Sequence, residues 1–217
     1  MKILKRENLI DYGYELVVRE KSYDYFLYKD KVFTETLDLS DKDIVLIEAG
    51  ALKQIKNLKK VILPKNLTTI DCYAFIDCEN LEEVIFPDSL EIIKNDAFMN
   101  CNLKEFIAPK NLKYIRQFAF SSNNITKVVL NEKLKNIGPY AFLSNKIESI
   151  ILPKSLEYVG QSFIDEQKTD KEVKVYVPKQ FKEQHFTGAI TIYSLDDIIT
   201  NVKSFKEINN IYKETER

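Results

Sequence analysis

The side chains in this chain best suited to acid–base, nucleophilic or metal chemistry are His185, the cysteines Cys72, Cys78 and Cys101, and carboxylate pairs such as Glu82-Glu83. Each falls short of a working set. His185 is the single histidine, so no second imidazole can complete a metal site, and no Cys-x-x-Cys pair offers thiolate ligands. The five glycines, Gly13, Gly50, Gly138, Gly160 and Gly188, are scattered, which leaves neither a phosphate loop nor a dinucleotide fingerprint. A Gly-x-Ser-x-Gly elbow is also missing. Glu82 and Glu83 fall at the start of a strand pattern, on positions that water reaches, where they remain ordinary acids. The expectation is a protein that is not an enzyme and uses no cofactor or metal.

The cysteines point elsewhere. Cys78 and Cys101 each follow a phenylalanine by three residues, at matching points of a repeated pattern. Buried free thiols, packing as small hydrophobes, are the expected state. A bridge between the two, one coil apart, is the alternative if they are oxidised. Three cysteines make no disulfide framework.

The pattern that contains them is the main feature of the chain. A cassette starts at Leu58, Leu81, Leu103, Ile125 and Ile147, at intervals of 22 or 23 residues. A fixed period of this size denotes stacked supersecondary units rather than one closed core. Each cassette opens with a short alternating strand: Val61 and Leu63 face inward while Lys60 and Ile62 face outward. Its counterparts inward are Val84 and Phe86, Phe106 and Ala108, Val128 and Leu130, and Ile150 and Leu152. Pro64, Pro87, Pro109 and Pro153 end the strands at a corner, with Asn131 in the fourth unit. A second apolar pair follows, from Leu67/Ile70 to Leu156/Val159. Then comes Ala-Phe at 74–75, 97–98, 119–120 and 141–142, with Ser162-Phe163 last. Stacked rings from successive units would form a spine, each burying about 2–3 kcal/mol of apolar surface. The slot after each ring holds Cys78, Cys101, Asn123 and Asn145, and the two asparagines suit a ladder that satisfies backbone groups no strand covers. Ile44, Ile47 and Ala51-Leu52 read as a degenerate coil ahead of the clear ones.

This cassette resembles the bacterial BspA-type leucine-rich repeat, whose units run L-x-x-I-x-I-P-x-S-L-x-x-I-x-x-x-A-F-x-x-C. Segments 58–78 and 81–101 carry nearly every marked position, and the resemblance extends from about 44 to 178. It implies a repeat solenoid: a right-handed leucine-rich-repeat coil with a parallel β-sheet on one face, mostly β and loop. The resemblance also implies an adhesive or protein-binding surface without shared catalytic residues.

An array needs caps at both ends. Residues 1–40 read as a β-rich N-terminal cap, with strands at Tyr14–Arg19 and Tyr25–Tyr28 joined by Lys21–Asp24, and a third at Lys31–Thr34. The repeats occupy 41–178, including a charged insertion at Asp165–Glu172 that reads as a solvated loop before the strand Val173–Val177. An α/β C-terminal cap fills 179–217, with a short helix at 179–186 and a strand at Ala189–Tyr193. Its last helix starts at Ser194, with Asp197 as capping-box partner. Leu195, Ile198, Ile199, Val202, Phe205, Ile208 and Tyr212 share one face of that helix. This face closes the stack, or serves self-association.

The outward strand positions supply the candidate site. Ile62, Ile85, Ile107, Val129, Ile151 and Tyr176 form one apolar stripe across the sheet if neighbouring strands lie about 4.8 Å apart. Beside it run Lys60, Glu83, Glu105, Lys127 and Ser149, then Lys59, Glu82, Lys104, Thr126 and Glu148. An apolar strip with a polar rim is the make-up of a protein- or peptide-binding surface. The residues expected to bind are Lys60, Ile62, Glu83, Ile85, Glu105, Ile107, Lys127, Val129, Ile151 and Tyr176. The alternative is an adhesion module of a larger secreted bacterial protein that binds host protein or glycan.

Lys and Arg number 32 against 33 Asp and Glu, giving a net charge of −1. That balance disfavours nucleic acid and anionic membranes, which demand concentrated positive charge. No apolar run reaches membrane-span length. If Met1 is the native start, the lack of a signal segment implies the cytoplasm; an excised domain would belong at the cell surface or outside the cell.

Overall fold

Proline corners and paired β-branched residues cut every repeat into two short strands. The computed structural model describes residues 2–18, 25–182 and 190–194. In each coil a three-residue face strand precedes a two-residue back strand. The pairs are Lys60–Ile62 and Thr69–Ile70, Glu83–Ile85 and Ile92–Ile93, Glu105–Ile107 and Tyr114–Ile115, Lys127–Val129 and Asn136–Ile137, and Ser149–Ile151 and Tyr158–Val159. At the corner between them, the carbonyl of Pro64, Pro87, Pro109, Asn131 or Pro153 accepts the N–H three residues on at 3.1–3.3 Å. The result is a solenoid of parallel strands and turns, as the repeat implied.

The back strands make a continuous seven-stranded parallel sheet, running from Ile3–Leu4 through Leu46–Ile47 to Tyr158–Val159. This second sheet was not foreseen from the sequence, because two-residue strands leave no alternation to detect. The face strands behave differently. Their ladder is divided into three pieces: Thr36–Asp38 with Lys60–Ile62 and Glu83–Ile85, then Glu105–Ile107 with Lys127–Val129, then Ser149–Ile151 with Val173–Val177 and Ile190–Ser194.

Between the sheets lies the expected phenylalanine spine. Phe75 stacks on Phe98 with centroids 4.9 Å apart, Phe98 on Phe120 at 5.4 Å, and Phe120 on Phe142 at 5.4 Å. The turn that delivers each ring carries two left-handed residues per coil, such as Tyr73 and Asp77 or Phe118 and Ser122, with φ of 54–60°. Non-glycine residues adopt this conformation at a cost of about 1–2 kcal/mol each. Hydrogen bonds to the next coil offset it: Tyr73 N–H donates to the Asn95 carbonyl, and Asp77 N–H to that of Met99, both at 3.0 Å.

The slot behind the rings is a side-chain ladder. Cys78 Sγ donates to the Leu52 carbonyl and Cys101 Sγ to that of Phe75. Asn123 Nδ2 reaches the Phe98 carbonyl, Asn145 Nδ2 that of Phe120, and Gln167 Nε2 that of Phe142. Gln167 extends the series into the charged segment assigned to a loop, so the regular coil continues that far. Each amide also accepts the backbone N–H of the residue that opens its own repeat: Leu103 to Asn123, Ile125 to Asn145, and Ile147 to Gln167. Leu81 needs no such partner, because its N–H turns back to the Cys78 carbonyl at 2.8 Å. The coil from 58 to 81 holds the extra residue that makes this turn, which accounts for one 23-residue spacing among the 22s.

The N-terminal strands form as expected, with Tyr14–Val18, Tyr25–Lys29 and Val32–Phe33 antiparallel. Asn57 ties them to the solenoid by accepting from Leu27 N–H and donating to the Leu27 and Thr34 carbonyls. Residues Arg6–Tyr12 form a 3-10 helix, closed by Gly13 with φ of 78°. At the other end Lys179–Phe181 is a 3-10 turn, and Ile190–Ser194 pairs parallel with Val173–Val177. The Lys21–Asp24 link, His185 and the amphipathic segment 195–217 lie outside the described residues.

Candidate functional site

Strand register brings the predicted stripe together. Ile62 pairs with Ile85, Ile107 with Val129, and Ile151 with Tyr176. The row is longer than expected, because Asp38 precedes Ile62 and Tyr193 follows Tyr176, its ring 5.1 Å from that of Tyr176. Tyr193 was detectable as one arm of an alternating strand, but nothing in the spacing placed that strand beside Val173–Val177. Ile85 and Ile107 are each 44% exposed, while Ile62, Val129, Ile151 and Tyr176 are half-buried.

The charged columns partly neutralise themselves between coils. Lys60 pairs with Glu83 at 2.9 Å, Lys59 with Glu35 at 3.0 Å, Lys171 with Glu148 at 2.7 Å, and Lys104 with Glu82 at 3.8 Å. Such exposed pairs contribute at most about 1 kcal/mol each. Glu105 and Lys127 sit opposite each other in the ladder but join no ion pair among the described residues.

The face ladder is interrupted twice among the described residues, between Lys127–Val129 and Ser149–Ile151, where the inward side chains are aliphatic, and between Glu83–Ile85 and Glu105–Ile107, where they include two rings. Where other coils place Leu63, Ala108, Leu130 and Leu152, the second coil places Phe86. Where others place Val61, Val84, Val128 and Ile150, the third places Phe106. Phe86 stands edge-on to both Phe98 and Phe106, with centroids 5.6 Å away in each case. Phe106 fills the space against Phe120 at 4.3 Å. Two rings thus occupy a gap that elsewhere holds aliphatic side chains, beside a place where the face strands make no ladder. The back strands Ile92–Ile93 and Tyr114–Ile115 stay paired, so the opening is confined to one side.

A cleft of about 700 Å³ lies at this opening. Its walls include Glu83, Ile85, Glu105, Ile107 and Lys127 from the predicted set; Lys60 touches it through its ion pair with Glu83. Ile62, Val129, Ile151 and Tyr176 carry the stripe to either side. Val84, Phe86 and Ala108, read from the sequence as core, also line the cleft and are only partly buried. The signal for them was present in the oversized Phe86 and Phe106. Among the described residues, no three His, Cys, Asp or Glu side chains converge as metal ligands, and no helix is long and apolar enough to cross a membrane.

The family model for the BspA type leucine rich repeat region matches residues 45–170 in six copies. The chain belongs to this family. Among solved structures, the BspA-type chain is similar to the pneumococcal vaccine antigen PcpA, with a TM-score of 0.56 and 22% identity over 80% of this chain and 47% of that one. A leucine rich cell surface protein from Faecalibacterium prausnitzii A2-165 gives a TM-score of 0.46 and 16% identity, covering 71% of this chain and 50% of that one. A T. pallidum leucine rich repeat protein gives 0.43 and 18%, covering 76% and 69%. The chain therefore spans about half the length of the first two. At these identities the likeness is one of fold. No curated protein matches the sequence.

Proposed function

We propose that this BspA-type chain is a non-catalytic scaffold that holds a protein or peptide on its face sheet. The observation that carries this reading is the row of apolar side chains at one position of each face strand, with Ile85 and Ile107, each 44% exposed and flanked by charge, on either side of a break in the ladder. An exposed apolar strip of this kind gains most by being covered, and its charged borders restrict what covers it. Ile62, Ile85, Ile107, Val129, Ile151 and Tyr176 supply the buried area. Lys60, Glu83, Glu105 and Lys127 set orientation and association rate more than affinity.

The test is the double variant Ile85→Lys/Ile107→Lys, checked for an unchanged circular dichroism spectrum. Proteins captured by the wild type from native lysate are identified first, then titrated against the variant. Affinity should fall at least about tenfold, as for loss of central contacts. Equal capture by the folded variant would move the binding surface off this sheet.

A further inference from the structure

Three features meet in the cleft between the second and third coils. The first is open backbone. Glu83–Ile85 and Glu105–Ile107 are each paired on their far sides, with Lys60–Ile62 and Lys127–Val129, yet make no ladder with each other. Their facing edges therefore present strand-spaced donors and acceptors with no partner among the described residues. The second is an apolar floor formed by Val84, Phe86 and Ala108, all partly exposed. The third is a balanced rim: Glu82, Glu83, Asp88 and Glu105 face Lys104, Lys110 and Lys127, and Lys60 supplies the fourth positive charge through Glu83.

We propose that this cleft takes one extended segment of a partner polypeptide, without net charge. One open strand edge pairs with its backbone, and Phe86 receives a bulky apolar side chain. The proposal rests on the reading of the face sheet as the binding surface. Each feature selects the occupant. Alternating donors and acceptors at strand spacing match an extended peptide backbone, the basis of recognition by strand addition. A helix, about 10–12 Å across, is too wide to enter between two coils held at strand spacing on their back side. A volume of this size with an apolar floor takes side chains rather than a flat surface. With Glu83 neutralised by Lys60 just outside the cleft, the remaining Glu82, Asp88 and Glu105 balance Lys104, Lys110 and Lys127, so the complement is an uncharged segment, and binding depends little on salt.

The experiment pans a displayed library of random nonapeptides on the full chain, with counter-selection on Phe86→Leu/Phe106→Val. That variant gives both coils the side-chain types of their neighbours and removes the Phe86 ring from the floor of the cleft. Enriched peptides should be uncharged overall, alternate in polarity around one large apolar residue, and bind wild type at least about tenfold tighter than the variant. In their complexes, amide exchange should slow along one of the two open strands. Copies N-methylated at alternate amides should lose binding to wild type, a result independent of how the variant folds. Equal binding to a folded variant, tolerance of N-methylation, or no enrichment overturns the proposal. Peptides lost on Ile62→Lys or Ile151→Lys but indifferent to Phe86→Leu/Phe106→Val would also overturn it, while leaving the face sheet as the binding surface.

Discussion

The two sheets of this solenoid are built by the same repeats, yet one is continuous and the other is split. In the back sheet the inward positions hold Leu4 and then, through the repeats, Ile47, Ile70, Ile93, Ile115, Ile137 and Val159, which are all β-branched and nearly equal in size. In the face sheet the corresponding volume passes from Leu63 to Phe86 and then to Ala108. The thick layer at Phe86 and Phe106 lies at one of the two breaks in the face ladder. The other, between Lys127–Val129 and Ser149–Ile151, falls between aliphatic layers, so ring bulk accounts for the shape of the first and not for every break. The back sheet is therefore the frame, and the face sheet is where sequence variation alters shape.

The frame should be the harder side to change. At its later corners the coils approach through glycine: a Cβ on Gly160 would stand 2.2 Å from Pro139 N and 2.6 Å from the Gly138 carbonyl carbon. Neither neighbour is a flexible side-chain end that can swing away. Gly160→Ala should cost more than ~3 kcal/mol, at or beyond the upper range for overpacking, and urea denaturation would measure it. On the face sheet, Ile85→Ala removes a side chain that is already half in water and should cost less than ~1 kcal/mol. If the two substitutions cost the same, the division into frame and variable face is wrong.

Asn123 tests how the split is held together. It donates to the Phe98 and Phe120 carbonyls and accepts from Leu103 N–H, two residues before the strand Glu105–Ile107, whose edge toward Glu83–Ile85 is open. It thus joins the second and third coils beside the place where the face ladder is lost. Asn123→Ala leaves buried groups without partners and should cost about 2–3 kcal/mol. Hydrogen exchange should quicken around Leu103 before it changes in the back strands. Asn123→Cys restores a donor for Phe98, as Cys78 and Cys101 supply one for Leu52 and Phe75, but strands the Leu103 N–H. Its loss should fall between wild type and alanine.

How much of this was legible depended on whether one repeat could be compared with the next. The Ala-Phe spine, the asparagine ladder and the outward stripe each recur at one position per coil, so their placement followed from period alone. The back sheet did not follow, because a strand such as Thr69–Ile70 is too short to alternate. The cleft was half legible. Phe86 and Phe106 are visibly larger than their counterparts, but whether a large side chain is absorbed or left beside an opening depends on three-dimensional space. Phe75 and Phe98 are absorbed because every ring in that column is a phenylalanine. Pairing between Tyr176 and Tyr193 was hidden for another reason: it depends on where the strand Ile190–Ser194 docks, and that strand repeats no earlier unit.

The cysteine slot gives the smallest and most specific contrast, between thiols within the stack and one at its surface. Cys78 and Cys101 are buried and unbridged, whereas Cys72 is half exposed. Burial disfavours the thiolate and pushes Cys78 up to about 12, with Cys101 also raised well above the ordinary thiol value. A thiol reagent at neutral pH should therefore label Cys72 in the native protein, and the other two only after denaturation. Linkage adds a pH signature. Above the unfolded value near 9.0, the unfolded chain releases the Cys78 proton while the folded chain retains it. Stability contributed by this group is thus complete below about pH 9 and declines as pH rises toward 12. Cys78→Ala/Cys101→Ala should lower stability at pH 7 yet flatten that alkaline decline relative to wild type. Denaturant midpoints at pH 8 and pH 10 would resolve the difference. An unchanged slope would mean that these thiols ionise alike in both states, and that the slot is wetter than the close stacking of its coils implies.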